Sequence, residues 1–226
     1  MNILVRRALG ALALVALAGA FVSGAMAREK AAPSRSQAAE AGQFDYYLLS
    51  LSWSPTYCLT HPNDKIECGS KGYGFVLHGL WPQFEAGGYP ERCATSARLD
   101  SAAERAGRMV FISERLMRHE WQAHGTCSGL DAADYFRIAD RALASVKIPP
   151  AFEAPRRARH SSVEELNRAF GAANPQLPEG ALRVACSRGE LAEVRVCLGR
   201  DLAPRRCPRS VRSSCGQWDF AVPAVR

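Results

Sequence analysis

Residues 44–53 read FDYYLLSLSW, a run of aromatic and apolar side chains stopped by Pro55. That composition and that boundary describe a buried strand. A second short apolar run, YGFVLHGL at 73–80, lies between Gly72 and Pro82 and reads the same way. Further along, the stretch at 101–110 is Ala-rich and helical in composition. Ser113 to His124 makes a better helix, with Ser113 as its N-cap, Glu114 in the first turn and Gly125 just past the end. Asp131 caps a third helix to about Val146, ended by Ile148-Pro149-Pro150. Ser162 opens a fourth, Glu165 completes a capping box, and Pro175 closes it. Strands return at 182–186 and at 193–198, where Val194, Val196 and Leu198 alternate with polar neighbours, and a last short one at 218–222. The two kinds of element mix without a steady βαβ rhythm. The expected fold class is therefore α+β, with an antiparallel central sheet flanked by several helices.

Outside this folded unit the chain changes character. Arg6 and Arg7 precede an apolar run from Ala8 to Val22, and Ala25-Met26-Ala27 supplies the small residues of a cleavage site, so 1–27 reads as a signal peptide. The run is shorter than the roughly 18 residues of a membrane span, which leaves no membrane association once the signal is removed. From 28 to 43 the composition is Ala, Ser, Lys, Arg and Glu, too polar to order itself, and a flexible leader is expected. The domain then spans 44–226. Losing Arg6 and Arg7 takes the formal charge from +7 to +5, a balance that suits a polyanion without demanding one. Eight cysteines in an exported chain argue for disulfides, although composition alone leaves their pairing open. Zinc fits poorly, since the closest pair, Cys207 and Cys215, lies eight apart and no C-x-x-C occurs. A periplasmic or secreted monomer is expected.

Three of the five histidines sit in two unusual contexts: His78 in FVLHGLWPQ, and His119 and His124 in HEWQAHGTC. On an ideal helix, with His119 at 0°, Ala123 falls near about 40°, Glu120 near about 100° and His124 near about 140°. One side of the helix would then present imidazole, carboxylate and imidazole, with Glu120 and His124 as i, i+4 neighbours and Trp121 packed elsewhere. The spacing H-E-x-x-x-H spreads the histidines too far for the metal-binding H-E-x-x-H arrangement. No serine or cysteine lies in a nucleophile elbow. Two imidazoles suit proton shuttling, because one can be neutral while another is charged. RNA brings its own nucleophile, the 2′-hydroxyl, so the inventory fits RNA cleavage with no metal and no cofactor. DNA, lacking that hydroxyl, would be inert. His61 and His160 sit in polar, loop-like surroundings and read as solvated, as does the basic run Arg156, Arg157 and Arg159.

At these residues the chain resembles the ribonuclease T2 family. His78-Gly79-Leu80-Trp81-Pro82 and the segment from His119 to Cys127 look like its two signature segments. FDYYLLSLSWSPTYC resembles its first strand and the loop after it, and NPQLPEGALRVAC with LAEVRVCL its C-terminal strands, so the likeness covers 44–222. The resemblance implies cleavage of single-stranded RNA with low base specificity, through a 2′,3′-cyclic phosphate and best in acid. Residue by residue it implies His78 as general acid, His124 as general base, His119 as a phosphate-binding group and Glu120 as the carboxylate supporting the transition state. Trp81 would stack on a base, a role aromatic rings commonly take with RNA, and Tyr89 would form a second wall. It also implies the bridges Cys93–Cys127, Cys186–Cys215, Cys197–Cys207 and Cys58–Cys68. One position departs. The family commonly carries lysine where this chain has Ala123, and a lost electrostatic donor of that kind removes on the order of a hundredfold in rate. Arg118, on the far side of the helix by the same angles, is badly placed to replace it.

Overall fold

The computed structural model describes residues 36–37, 40–94, 97–216 and 218–226; the expected signal peptide, 1–27, lies outside them. In chain order the elements are β1 (Ser36–Gln37), β2 (Tyr46–Trp53), α1 (Ser54–Thr60), β3 (Phe75–Gln83), β4 (Tyr89–Pro90), α2 (Ser101–Val110) and α3 (Glu114–Ala123). A 3₁₀ turn at Gly125–Cys127 is followed by α4 (Ala132–Ala144), α5 (Pro150–Glu153), β5 (Arg159–Ser161), α6 (Val163–Ala173), β6 (Leu182–Ser187), β7 (Glu190–Leu198) and β8 (Phe220–Val222). Six strands form the main sheet in the order β3-β2-β7-β8-β5, with β6 also paired to β7. Pairing is antiparallel except between β7 and β8, which meet parallel at Glu190 and Ala221. The fold class is α+β, as expected.

The run at 44–53 supplies the sheet's inner strand, and its alternation explains why. Tyr47, Leu49, Leu51 and Trp53 enter the main core, where Met117, Trp121, Tyr135, Phe136, Phe152 and Phe170 from the helices cover them. Tyr46 and Leu48 face the other side, packed with Cys197 and Cys207. Each helix whose start the sequence marked is capped as its residues dictate: Ser113 Oγ accepts from Leu116 N, Asp131 from Asp134 N and Ser162 Oγ from Glu165 N. The second half of the expected capping box differs, because Glu165 Oε2 accepts from Ser161 Oγ.

Other departures have physical reasons. Strand β3 runs through Pro82, which the sequence reading placed beyond its end; β3 ends the sheet order, and an edge strand tolerates a residue with no N–H. Helix α1 follows β2 directly, with Pro55 in its first turn, where proline's missing N–H costs nothing. The expected loop around His160 is strand β5, paired with β8; His160 is exposed, as are Arg156 and Arg157, while Arg159 lies over the Phe152 ring at 4.2 Å. The leader expected to be flexible, 28–43, is tied down at its end. β1 pairs parallel with β4, Gly42 N donates to Cys127 O, and Arg200 donates to Gly42 O. The bridges are Cys58–Cys68, Cys93–Cys127, Cys186–Cys215 and Cys197–Cys207, the pairing that the resemblance implies.

Candidate active site

A β-bulge creates the first half of the site. Leu80 pairs with Leu49 and Gly79 with Ser50, but Leu51 pairs with Leu77, so His78 is an extra residue with no partner on β2. In an unbroken strand, alternation from the buried Leu80 would turn His78 into the core. The bulge instead lets Leu77 and Leu80 both enter the core and frees His78 toward the face that carries Trp81. Bulges are over-represented beside active sites for this reason: they re-aim a side chain.

Helix α3 supplies the second half. Its N-cap Ser113 and the buried Met117 and Trp121 fix its rotation, which leaves Glu120 turned toward β3, 1% exposed. Trp81 Nε1 donates to Glu120 Oε2 at 2.6 Å, and Glu120 Oε1 lies 3.8 Å from His78 Nε2. This approach needs Gly79, because a Cβ there would collide with both Glu120 Oε2 and Trp81 Nε1. The expected helical arc is broken at its end. Helix α3 stops at Ala123, and His124 has φ −122° and ψ −46°, so its ring leaves the helical lattice. It sits 5.4 Å from the Trp81 ring and 5.8 Å from Tyr89, which β4 brings up. The Trp81 ring is also 5.1 Å from His78. His119 is exposed on α3, whereas Arg118 pairs with Glu104 of α2 and faces away from the site. Ala123 is buried, and its carbonyl accepts from Arg92 N.

The charges in the site are unequal. Burial, reinforced by the positive charge of His119, His78 and Arg92, lowers the His124 pKa to about 3. Burial also pulls against the charged form of His78, but the hydrogen bond and charge of Glu193 and the charge of Glu120 outweigh it and raise its pKa. Burial raises Glu120 to about 7, against the opposing pull of His78 and Trp81.

Sequence reasoning missed one carboxylate. Glu193 Oε1 is 2.7 Å from His78 Nδ1, and Arg195 Nε donates to Glu193 Oε2 at 2.7 Å. Both residues lie on β7, and its alternation already showed them facing away from Val194 and Val196. What no local pattern carries is that β7 lies one strand beyond β2, within reach of His78.

The family model described as the ribonuclease T2 family matches residues 44–207. The chain belongs to the ribonuclease T2 family. A ribonuclease of Aeromonas hydrophila is 38% identical over 205 residues, covering 83% of this chain and 89% of that protein. Ribonuclease 3 of Arabidopsis thaliana is 32% identical over 116 residues, 42% of this chain and 50% of its own. Among solved structures, the RNase-related protein from Calystegia sepium superposes with a TM-score of 0.64 at 22% identity, over 80% of this chain and 97% of its own, which shows the fold. As a member of this family the protein is an endoribonuclease.

Proposed function

We propose that this ribonuclease T2 enzyme cuts single-stranded RNA by transphosphorylation through a 2′,3′-cyclic phosphate, with no metal or cofactor and with little base preference. The observation that carries the reading is the convergence of His78, Glu120 and His124 on the Trp81 ring. His124, with its pKa near 3, is neutral across the working range and takes the 2′ proton. His78, raised above its ordinary value, is charged and gives a proton to the leaving 5′ oxygen. In acid Glu120 holds a proton, so the carboxyl beside His78 does not repel the phosphate. His119 binds phosphate at the rim. A base stacks between Trp81 and Tyr89, and stacking tolerates every base, which supports low specificity. DNA has no 2′-hydroxyl and is not cut. Four bridges persist in an oxidising compartment, which supports export, periplasmic or secreted.

The test is the end chemistry of single-stranded RNA incubated with the protein in EDTA at mildly acidic pH. Cyclic phosphate ends should appear and should vanish in His78→Phe and His124→Phe. Inhibition by EDTA, or ends without a cyclic intermediate, would sink the reading.

A second reading, an RNA binder that cuts feebly, is prompted by Ala123. Lysine there should raise kcat/KM by up to about a hundredfold if the transition state draws on a cation at that position. Because Ala123 is 1% exposed, the larger side chain should also cost about 1–3 kcal/mol of stability, read as a lower Tm. An unchanged rate would mean that no cation is missing. Tight binding of RNA without cutting by the native chain would favour this second reading.

A further inference from the structure

β7 carries a half-buried ion pair that the reading above leaves without a task. Glu193 is 13% exposed and is held from both sides, by His78 Nδ1 on one oxygen and by the Arg195 guanidinium on the other, at 2.7 and 2.6 Å. A carboxylate so largely withdrawn from water needs such partners, since a charge moved out of solvent is stabilised only when paired. The contact crosses an intervening strand. β3 and β7 flank β2, so their backbones stand roughly 10 Å apart. The bridge closes because β2 presents Ser50 and Ser52 on that face: Ser50 is paired with Gly79 and Arg195, and Ser52 with Glu193. A larger side chain at either serine would stand between the two. The ionisable groups around His78 come from three directions: Glu193 and Arg195 from β7, Glu120 and His124 from α3 and its end, and Glu67 from the segment after α1.

We propose that Glu193 is the positioning residue of the proton donor His78, and that Arg195 keeps Glu193 paired after the proton has left. The inference rests on the cyclising reaction. Donation of Nδ1–H to Glu193 fixes the imidazole so that Nε2 is the nitrogen on the Glu120 side, where the phosphate would lie. In the cleavage step the 2′ oxygen bonds to phosphorus and the P–O5′ bond breaks. The 2′ proton passes to His124, and the Nε2 proton of His78 passes to O5′. His78 is then neutral but still donates Nδ1–H, and the Glu193 charge is left to Arg195. Water entering at phosphorus reverses both proton transfers and opens the cyclic ester.

Glu193→Gln separates this role from a merely structural one. Glutamine keeps the size and an acceptor for Nδ1–H and loses the charge. On a dinucleotide kcat should fall on the order of tenfold to a hundredfold, part of what a proton donor contributes. The alkaline limb of the pH profile should move to lower pH, because the group that raises His78 is gone. On uridine 3′-(p-nitrophenyl phosphate), whose nitrophenolate leaves without a proton, the variant should keep close to the wild-type rate. Equal losses on both substrates would overturn the proposal. Nitrogen-15 NMR titration of His78 in the full chain adds a readout that needs no turnover: its pKa should drop in the variant, and an unmoved value would overturn the pairing. Wild-type protein that cuts neither substrate would instead sink the nuclease reading. If Glu193→Gln does not fold, Glu193→Asp, which withdraws the carboxylate from Nδ1 and keeps its charge, should show the same split between substrates, with equal losses again overturning it.

Discussion

Gly79 is the residue on which the site's close packing depends, and space rather than backbone freedom is the reason. The carboxylate of Glu120 and the indole of Trp81 meet where its Cβ would stand. Glu120 is buried and cannot swing aside into water. In Gly79→Ala the hydrogen bond must therefore lengthen or break, leaving a buried carboxyl unsatisfied at a cost of about 1–3 kcal/mol. The expected outcome is a lower Tm together with a fall in kcat/KM on the order of a hundredfold, because Glu120 and Trp81 move off the phosphate together. A variant with native Tm and rate would mean that the site relaxes at no cost. At this scale the sequence was readable where partners are close in the chain. His119, Glu120 and His124 fall within six residues, and their unusual chemistry is visible without a structure. Glu193 lies 115 residues from His78, and its pairing depends on strand order and on two serines of a third strand. Those are not written in any window around it.

Elements whose ends are marked by local chemistry matched their expected bounds closely. Helix α3 begins after Ser113 and α4 after Asp131 because an oxygen at the N-cap satisfies an N–H two or three residues on, which is a property of a few neighbouring residues. Elements made by tertiary contact were not legible: β5 exists because β8 lies beside it, and the bulge at His78 exists because Leu77 and Leu80 are both drawn into the core. The end of α3 belongs to this second kind. Arg92 N donates to Ala123 O, Cys93 N donates to Thr126 Oγ1, and the Cys93–Cys127 bridge closes the arrangement. This seam holds the segment after Tyr89 against the turn that aims His124. Removing it with Cys93→Ser and Cys127→Ser together frees a 34-residue separation in the unfolded chain, worth about 3–4 kcal/mol by loop entropy. Tm should fall accordingly. In RNA cleavage at a temperature where the variant is still folded, kcat should fall more than KM rises, because aim is lost before binding. A loss of Tm with unaltered kcat would show that the 3₁₀ turn holds His124 without the bridge.

Across the whole molecule the site makes stability depend on pH in two opposed ways. His124 has a folded pKa near 3 against an ordinary 6.5, so the unfolded chain takes up a proton that the folded chain refuses. Its contribution is complete above about pH 6.5 and is lost as pH falls toward 3. Glu193 acts in the same direction lower down: burial alone would raise its pKa, but the His78 hydrogen bond and Arg195 hold it near 2 against an ordinary 4.5, so its contribution fades between those values. Glu120 is the reverse. Its folded pKa near 7 means that the folded chain keeps a proton the unfolded chain has released, so its contribution is full below 4.5 and is lost as pH rises through 7. His78, raised above 6.5, likewise contributes below that value and loses its contribution above it. Thermal unfolding followed from pH 3 to pH 9 should therefore respond to two substitutions on opposite sides. His124→Phe should gain Tm relative to wild type as pH falls below 6.5. Glu120→Gln should gain relative to wild type as pH rises through 7, because it never carries the buried charge. Parallel Tm curves for wild type and His124→Phe over the acid range would show that His124 takes its proton in the folded state. An imidazole charged in that way would serve as the base only in the fraction of molecules that have lost the proton, so the rate should then fall with pH below about 6.5.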